Sequence, residues 1–265
     1  NIIAGVITII SSDDLYKRAN LFITVGQITG IYMISYFSFF VIHEGNIDNI
    51  ELFNFILFII CGLLTLFVYP LIYIYEKIFN LMSDVSLLEL SDTNSPLLKN
   101  LSNKAPGTFH HSMNVANLAE SSANEIGANS MLARVGALYH DIGKMDNPSY
   151  FTENQVTGKN PHDSLSSKES MSIILNHVSK GVEIAKKNSL PNRIIDFIKT
   201  HHGTSILYYF YDKDLKLNRN PKINEYMYNG PKPFSKETAL VMMCDSVEAA
   251  TKSLDNPDIE QINSF

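Results

Sequence analysis

Two blocks of the chain carry no formal charge, residues 21–42 and residues 52–75, and only a short polar loop separates them. At about 1.5 Å of rise per residue, each block is long enough as a helix to cross a hydrocarbon core of about 30 Å, so both read as transmembrane helices. Pro70 falls near the end of the second, where a proline is tolerated. Residues 1–10 (NIIAGVITII) are expected to be the tail of a further span rather than a signal peptide, lacking an initiator Met, a basic start and a small-residue cleavage site. The sequence therefore reads as a fragment. Residues 76–100 begin as a continuation of the second block (EKIFNLMSDVSLLEL) and break into Ser, Asp, Asn and Pro, the composition of a linker. From residue 101 onward, apolar positions recur with helical spacing and show no sustained alternation of period two. The pattern predicts an all-α protein: a transmembrane segment over 1–75, a juxtamembrane linker over 76–100 and a helical domain over 101–265.

Within that domain the helix starts are marked by capping residues. Thr108 is the expected cap of a helix to Gly127, Asn129 of one to about Lys144, Ser166 or Ser167 of one to about Lys187, and Ser235 of one through Leu254. Pro191 suits the first position of a helix reaching His202. Residues 146–165 and 207–234, rich in Asn, Pro and Tyr, read as long irregular stretches, which in a compact domain are often functional.

Charge refines the picture. Lys17 and Arg18 precede the first block and Lys77 follows the second, while the loop from His43 to Glu51 holds three acids and no Lys or Arg. Cytoplasmic loops collect basic residues, so the domain after Glu76 is expected on the cytoplasmic side of a cell membrane that the chain crosses more than once. From residue 76 onward there are 19 Lys plus Arg against 22 Asp plus Glu, which leaves no basic field for following a nucleic acid backbone. A polymeric nucleic acid is not an expected partner; a homo-oligomer is compatible with everything above. The two cysteines, Cys61 inside a span and Cys244 in an apolar helical run, offer neither a disulfide framework nor a CxxC site.

Seven of the eight histidines fall between residues 110 and 202, as His110-His111, His140-Asp141, His162, His177 and His201-His202, and Asp245 follows on a later helix. Five histidines with two carboxylates exceed what one tetrahedral ion takes, and this mixed set suits first-row transition metals. It fits two ions sharing a carboxylate, about 3.5 to 4 Å apart, an arrangement that can activate a hydroxide while clamping a phosphoryl group. Adjacent residues at a helix end diverge, so a His-Asp pair can serve one ion with the first residue and bridge with the second. Of the adjacent pair His110-His111, His111 shares an apolar helical face with Val115 and is the expected ligand; His110 is left open for a supporting role. Isolated His43 and His162 read as ordinary surface or core residues. The expected ligands are thus His111, His140, Asp141, His177, His201, His202 and Asp245. Lys144, one turn after His140-Asp141, is either a cation facing the same pocket and a substrate phosphate or a solvated lysine. Tyr208–Tyr211, Tyr226 and Tyr228 are either core or a surface on which a base stacks.

These blocks, His111-Ser112, His140-Asp141-Ile142-Gly143-Lys144, His177-Val178, His201-His202-Gly203-Thr204 and Asp245-Ser246-Val247-Glu248-Ala249-Ala250, resemble the HD phosphohydrolase superfamily, and within it the seven-transmembrane-receptor HD group typified by PgpH-type cyclic di-AMP phosphodiesterases. The likeness spans about residues 85–255, and Glu153-Asn154-Gln155 with Asn160-Pro161-His162-Asp163 resembles the loop before the third block. It implies an HD domain behind the last spans of a membrane bundle, with the chain ending inside the final helices. It also implies a partition: His111, His140, Asp141 and Asp245 on one ion, His177, His201 and His202 on the other, Asp141 bridging. The implied activity is hydrolysis of cyclic di-AMP to linear pApA with two divalent ions, Fe or Mn, and with Asp141 and Lys144 as catalytic residues. Other HD substrates (cyclic di-GMP, a guanosine polyphosphate, a nucleoside monophosphate) or a receptor that senses nucleotide without turnover remain alternatives. The Gly-Tyr-Pro signature of cyclic di-GMP-hydrolysing HD enzymes is absent after His201-His202, which favours cyclic di-AMP.

Overall fold

A computed structural model of the chain describes residues 5–6, 18–45, 50–79, 81–155, 160–217 and 219–254. Most of the expected span over residues 1–10, Lys17, the middle of the acidic loop around Asn46 and everything after residue 254 lie outside the described residues. The chain divides into two compact units, Asn1–Ser86 and Leu87–Phe265.

The first unit holds α1 (Arg18–Glu44), α2 (Leu52–Thr65) and α3 (Val68–Phe79). Two stretches, Phe22–His43 and Leu52–Phe79, are long and apolar enough to cross a membrane. The second is broken by a turn at Leu66–Phe67, where the Leu66 N–H returns to the Leu63 carbonyl. Pro70 explains its place: its nitrogen cannot donate to the carbonyl four residues earlier, that of Leu66. α1 and α2 pack through rings, Tyr36 against Phe55 and Phe58, while Asn54 Nδ2 donates to the Tyr36 hydroxyl at 2.8 Å. Large apolar side chains such as Phe22, Phe39, Ile42, Leu52 and Phe53 point outward, the surface a lipid phase would cover.

The second unit is helical, and among the described residues its one β-type pairing is an isolated antiparallel bridge between Ile206 and Met227. α4 (Asp84–Ser91) leads into it and α5 (Pro96–Lys104) opens it. Leu87, Leu97, Leu98 and Leu101 are buried, and the Tyr139 hydroxyl donates to the Leu90 carbonyl at 2.9 Å. The residues between Leu87 and Asn100 therefore pack with the domain, ahead of the Leu101 start expected from composition.

α6 (Pro106–Glu125) and α7 (Ser130–Tyr139) form the centre with α11 (Lys236–Lys252). Ala116, Ala119 and Ala123 recur along the buried face of α6, small enough to let its neighbours approach. α6 starts earlier than its sequence suggests. Ala105 occupies the cap and Pro106 the first turn, so Thr108 lies buried inside the helix. There it receives a loop instead of capping: its N–H donates to Asn154 Oδ1 and its hydroxyl to Glu153 Oε1 at 2.9 Å. Asn129 does cap α7, accepting from the Leu132 N–H at 2.8 Å. α7 stops at Tyr139, not Lys144; the chain tightens into a 3₁₀ turn over Ile142–Asp146, and further short 3₁₀ turns follow at Pro148–Tyr150, Thr152–Asn154 and Pro161–Ser164.

α8 (Ser167–Lys187) has a complete capping box between Ser166 and Glu169, and Ser235 caps α11 in the same way through Thr238. α9 (Asn192–Thr200) follows Pro191 and ends one residue before the His201-His202 turn, where Gly203 takes a φ of 51°. The stretch 207–234 is not wholly irregular. It contains α10 (Tyr208–Lys216), held by the buried Phe210 and by Asp214, which accepts from the Tyr226 hydroxyl at 2.7 Å and the Ser167 hydroxyl at 2.8 Å.

Candidate metal centre

Each candidate ligand stands at the end of an element or on its inward face. His111 is on the buried face of α6, one turn before Val115; His140 and Asp141 follow the last turn of α7; His177 lies in α8; His201 and His202 follow α9; Asp245 is on α11. Five elements thus converge, and the seven residues form two groups sharing one carboxylate: His111, His140, Asp141 and Asp245, and Asp141, His177, His201 and His202. Within each group the potential ligand atoms all lie within 4.8 Å of one another. His111 Nε2 is 2.9 Å from Asp245 Oδ1 and 3.6 Å from Asp141 Oδ2, and His140 Nε2 is 3.2 Å from Asp141 Oδ2. On the other side, His177 Nε2 and His201 Nε2 are each 3.4 Å from Asp141 Oδ1. His202 Nδ1 is 3.8 Å from Asp245 Oδ2.

The outer nitrogens decide which inner ones are free. His140, His177 and His201 each turn Nδ1 toward the carbonyl three residues back, at 2.6, 2.5 and 2.9 Å. A carbonyl only accepts, so Nδ1 donates to it and Nε2 is the nitrogen turned inward. Nε2 of His177 and Nε2 of His201 stand 3.1 Å apart. His140 Nε2 and Asp141 Oδ1 are fully buried and have no hydrogen-bond partner; the 3.2 Å approach of His140 to Asp141 is out of alignment for one. A buried acceptor left without a donor costs about 1 to 3 kcal/mol, and a cation placed between these atoms would remove the cost. The donor set of imidazoles and carboxylates fits divalent metal ions.

The charges are strongly coupled. Burial pushes Asp141 up, but the Lys144 ammonium and His140 outweigh it and hold the carboxyl well below the usual carboxylate range. Asp245 is likewise held low against burial by the neighbouring His111 and His140. His140, buried beside both carboxylates, is held up at about 10 by Asp141 and Asp245 in spite of burial. Burial, with the neighbouring His201 and Lys144, pushes His177 down to about 3 despite Asp141. The side facing α6 and α11 thus holds two carboxylates, Asp141 and Asp245, and the side facing α8 and α9 has Asp141 as its one carboxylate among three imidazoles.

Lys144 is not a solvated lysine. Its ammonium lies 2.7 Å from Asp141 Oδ2 and 2.9 Å from Glu153 Oε1, over the Phe151 ring at 5.1 Å. His110 is exposed, its ring against Phe109, and holds nothing in the centre. His162 is buried away from the ligands, bonded through Nε2 to the Tyr150 carbonyl. Of the tyrosines, Tyr208 and Tyr209 are exposed and Tyr226 belongs to a core cluster with Met171 and Phe210. Tyr228 alone reaches the centre, its ring stacked on His202 with centroids 4.2 Å apart. Glu153 and Glu248 also contribute, although residue pattern assigned them no role. Glu248 was legible as the position one turn after Asp245 on the same face; Glu153 sits in a loop with no periodicity to mark it.

The HD domain model matches residues 108–250, which contain every residue of both groups. The chain belongs to the HD domain family. Ahead of the HD domain, the model of the 7TM receptor with intracellular HD hydrolase matches residues 1–83, the part that holds both apolar helices. The chain is 51% identical over 192 residues to the cyclic-di-AMP phosphodiesterase PgpH of Listeria monocytogenes serotype 1/2a (strain 10403S), covering 72% of this chain and 27% of that protein. The PgpH of Bacillus subtilis (strain 168) is 45% identical over 191 residues, with 72% and 27% covered. The chain therefore spans little more than a quarter of the length of these relatives. The crystal structure of the L. monocytogenes PgpH HD domain in complex with cyclic-di-AMP superposes with a TM-score of 0.63 at 53% identity, over 65% of this chain and 81% of that one.

Proposed function

We propose that the HD domain of this chain is a metal-dependent phosphodiesterase that hydrolyses cyclic di-AMP to linear pApA on the cytoplasmic face of a membrane. The observation that carries the proposal is the pair of ligand groups joined through one buried carboxylate, Asp141, whose Oδ1 lacks a hydrogen-bond partner. His111, His140, Asp141 and Asp245 would hold one ion, and Asp141, His177, His201 and His202 the second. When bound, two divalent transition metals, Fe or Mn, supply Lewis acidity at the phosphodiester and lower the pKa of water enough for it to attack near neutral pH.

The chain's own residues do the positioning. The three carbonyl-bonded histidines hold their Nε2 atoms inward before any ion arrives. The Lys144 ammonium beside Asp141 favours its ionised form and holds the carboxyl well below the usual carboxylate range. Lys144 in turn is fixed by Glu153, so its positive charge is kept beside the shared carboxylate, where a substrate phosphate is neutralised. Water attacks phosphorus, the bond to the 3′-oxygen breaks, and the 5′-phosphate stays on the linear product.

The adenine preference rests on likeness to the PgpH proteins and on the missing Gly-Tyr-Pro signature. A few placed polar groups suffice for it, since an unpaired buried donor or acceptor costs about 1 to 3 kcal/mol. With the chain in detergent and Mn²⁺ supplied, kcat/KM for cyclic di-AMP is expected to exceed that for cyclic di-GMP at least about tenfold, with pApA as first product. Equal or inverted ratios would refute the base assignment and leave the metal chemistry standing. Orientation has its own test. A reporter fused after Lys77 should behave as cytoplasmic and one inserted at Asn46 as external; the reverse outcome would place the HD domain on the wrong side for a cytoplasmic substrate.

A further inference from the structure

Three of the four buried histidines of the centre fix their tautomer through a main-chain carbonyl, and the fourth does not. His111 turns Nδ1 to Glu248 Oε2 at 2.5 Å, a contact made 137 residues apart in sequence and closed off from solvent. Glu248 is itself held from three sides. Besides His111, its other oxygen accepts from Asn114 Nδ2 at 3.1 Å and from Lys252 Nζ at 2.6 Å, which keep the carboxylate turned to the ring.

A carboxylate and a carbonyl do different things behind a ligand. Both keep the hydrogen on Nδ1 and leave Nε2 for an ion, but the carboxylate also places a full negative charge behind the ring and makes its inner nitrogen a stronger donor. The group containing His111 already has two carboxylates, Asp141 and Asp245; the group containing His177 has Asp141 alone. Glu248 adds a third anion to the side that is already richer.

We propose that Glu248 is the positioning residue of the His111 side and that its carboxylate makes this side the tighter of two unequal cation centres, the one that fills first. The proposal rests on the two-ion reading above. Loading is then ordered: the first ion settles among His111, His140, Asp141 and Asp245, and the second completes the centre on the α8 and α9 side, where the shared carboxylate is the one anionic ligand. At limiting metal the chain holds one ion and is inactive.

The test is Mn²⁺ titration of the whole chain in detergent by calorimetry, with metal content measured after gel filtration and helicity followed by circular dichroism. The wild type is expected to show two classes of site. His111→Ala should remove the tighter class and His177→Ala the weaker, which assigns them. Glu248→Ala should weaken the tighter class by about ten- to a hundredfold and leave the weaker within about twofold. Glu248→Gln, which keeps size and an acceptor but not the charge, should recover part of the loss, and it carries the test if Glu248→Ala does not fold. Unchanged affinities in both Glu248 variants, or weakening confined to the class that His177→Ala removes, would overturn the assignment to Glu248. A wild type that takes up no Mn²⁺, or whose uptake does not change in His140→Ala, would instead overturn the two-ion reading itself.

Discussion

Asp141→Ala is expected to strip both ions from the chain and to lower cyclic di-AMP hydrolysis by about three orders of magnitude or more, the equivalent of several kcal/mol of lost Lewis-acid assistance. The reason is geometric. Asp141 alone stands in both ligand groups, with Oδ2 toward His111 and His140 and Oδ1 toward His177 and His201. Any other ligand serves one group, so His140→Ala should cost one ion and leave the other. A folding defect is separable from this effect, because Lys144 keeps Glu153 as a partner at 2.9 Å when Asp141 is gone. Metal analysis of the folded variants decides the matter: an Asp141→Ala chain that retains one tight ion, or a tenth of wild-type turnover, would mean that the carboxylate does not bridge.

How much of this was legible in the sequence depends on how local each feature is. Asn129, Ser166 and Ser235 cap helices because a side chain and an N–H two or three residues away suffice, and sequence carries that whole. Thr108 failed as a cap for a non-local reason. Pro106 already opens α6, which frees Thr108 to hold the loop at Glu153 and Asn154, about 45 residues on. α10 was invisible for a similar reason. Tyr208–Lys216 has little helical pattern of its own and is held by Phe210 in a core cluster and by Asp214 bonded to Ser167 and Tyr226.

The candidate ligands could be picked out because their residue types are restrictive. Paired histidines, a His-Asp and a later Asp in this order seldom occur together except around metal ions, and the structure brings all seven candidate residues together. The residues behind them are harder to read from sequence, since a glutamate looks the same on a solvated face as against a buried imidazole. Glu248 and Lys252, one turn apart on α11, resemble an ordinary surface ion pair until His111 is placed beside them. Lys144 shows the same limit: its spacing from Asp141 allowed a pocket position, and the ion pairs to Asp141 and Glu153 are what distinguish it from a surface lysine.

The second large effect is expected from a residue with no side chain. A Cβ on Gly143 would run into the His177 carbonyl oxygen and lie 2.6 Å from the Gly181 nitrogen, so the turn after His140-Asp141 touches the α8 backbone directly. Backbone cannot rotate away as a side chain does. Gly143→Ala must therefore push α8 from the turn, and α8 carries His177, 3.4 Å from Asp141 Oδ1. Overpacking of this kind costs about 1 to 3 kcal/mol of stability, and a displacement of about 1 Å at a catalytic group costs about a hundredfold in rate. The expected signature is selective: the ion among His177, His201 and His202 is lost, and the one among His111, His140 and Asp245 is kept. Gly181→Ala is the milder comparison: the nearest atom its Cβ would meet is a side-chain atom, Ile198 Cγ2 at 2.7 Å, but that methyl branches from the Cβ of a fully buried helical residue with little room to move, so this variant too should lose stability. If Gly143→Ala keeps both ions and more than half of the turnover, the contact between the turn and α8 is not what places His177 against Asp141.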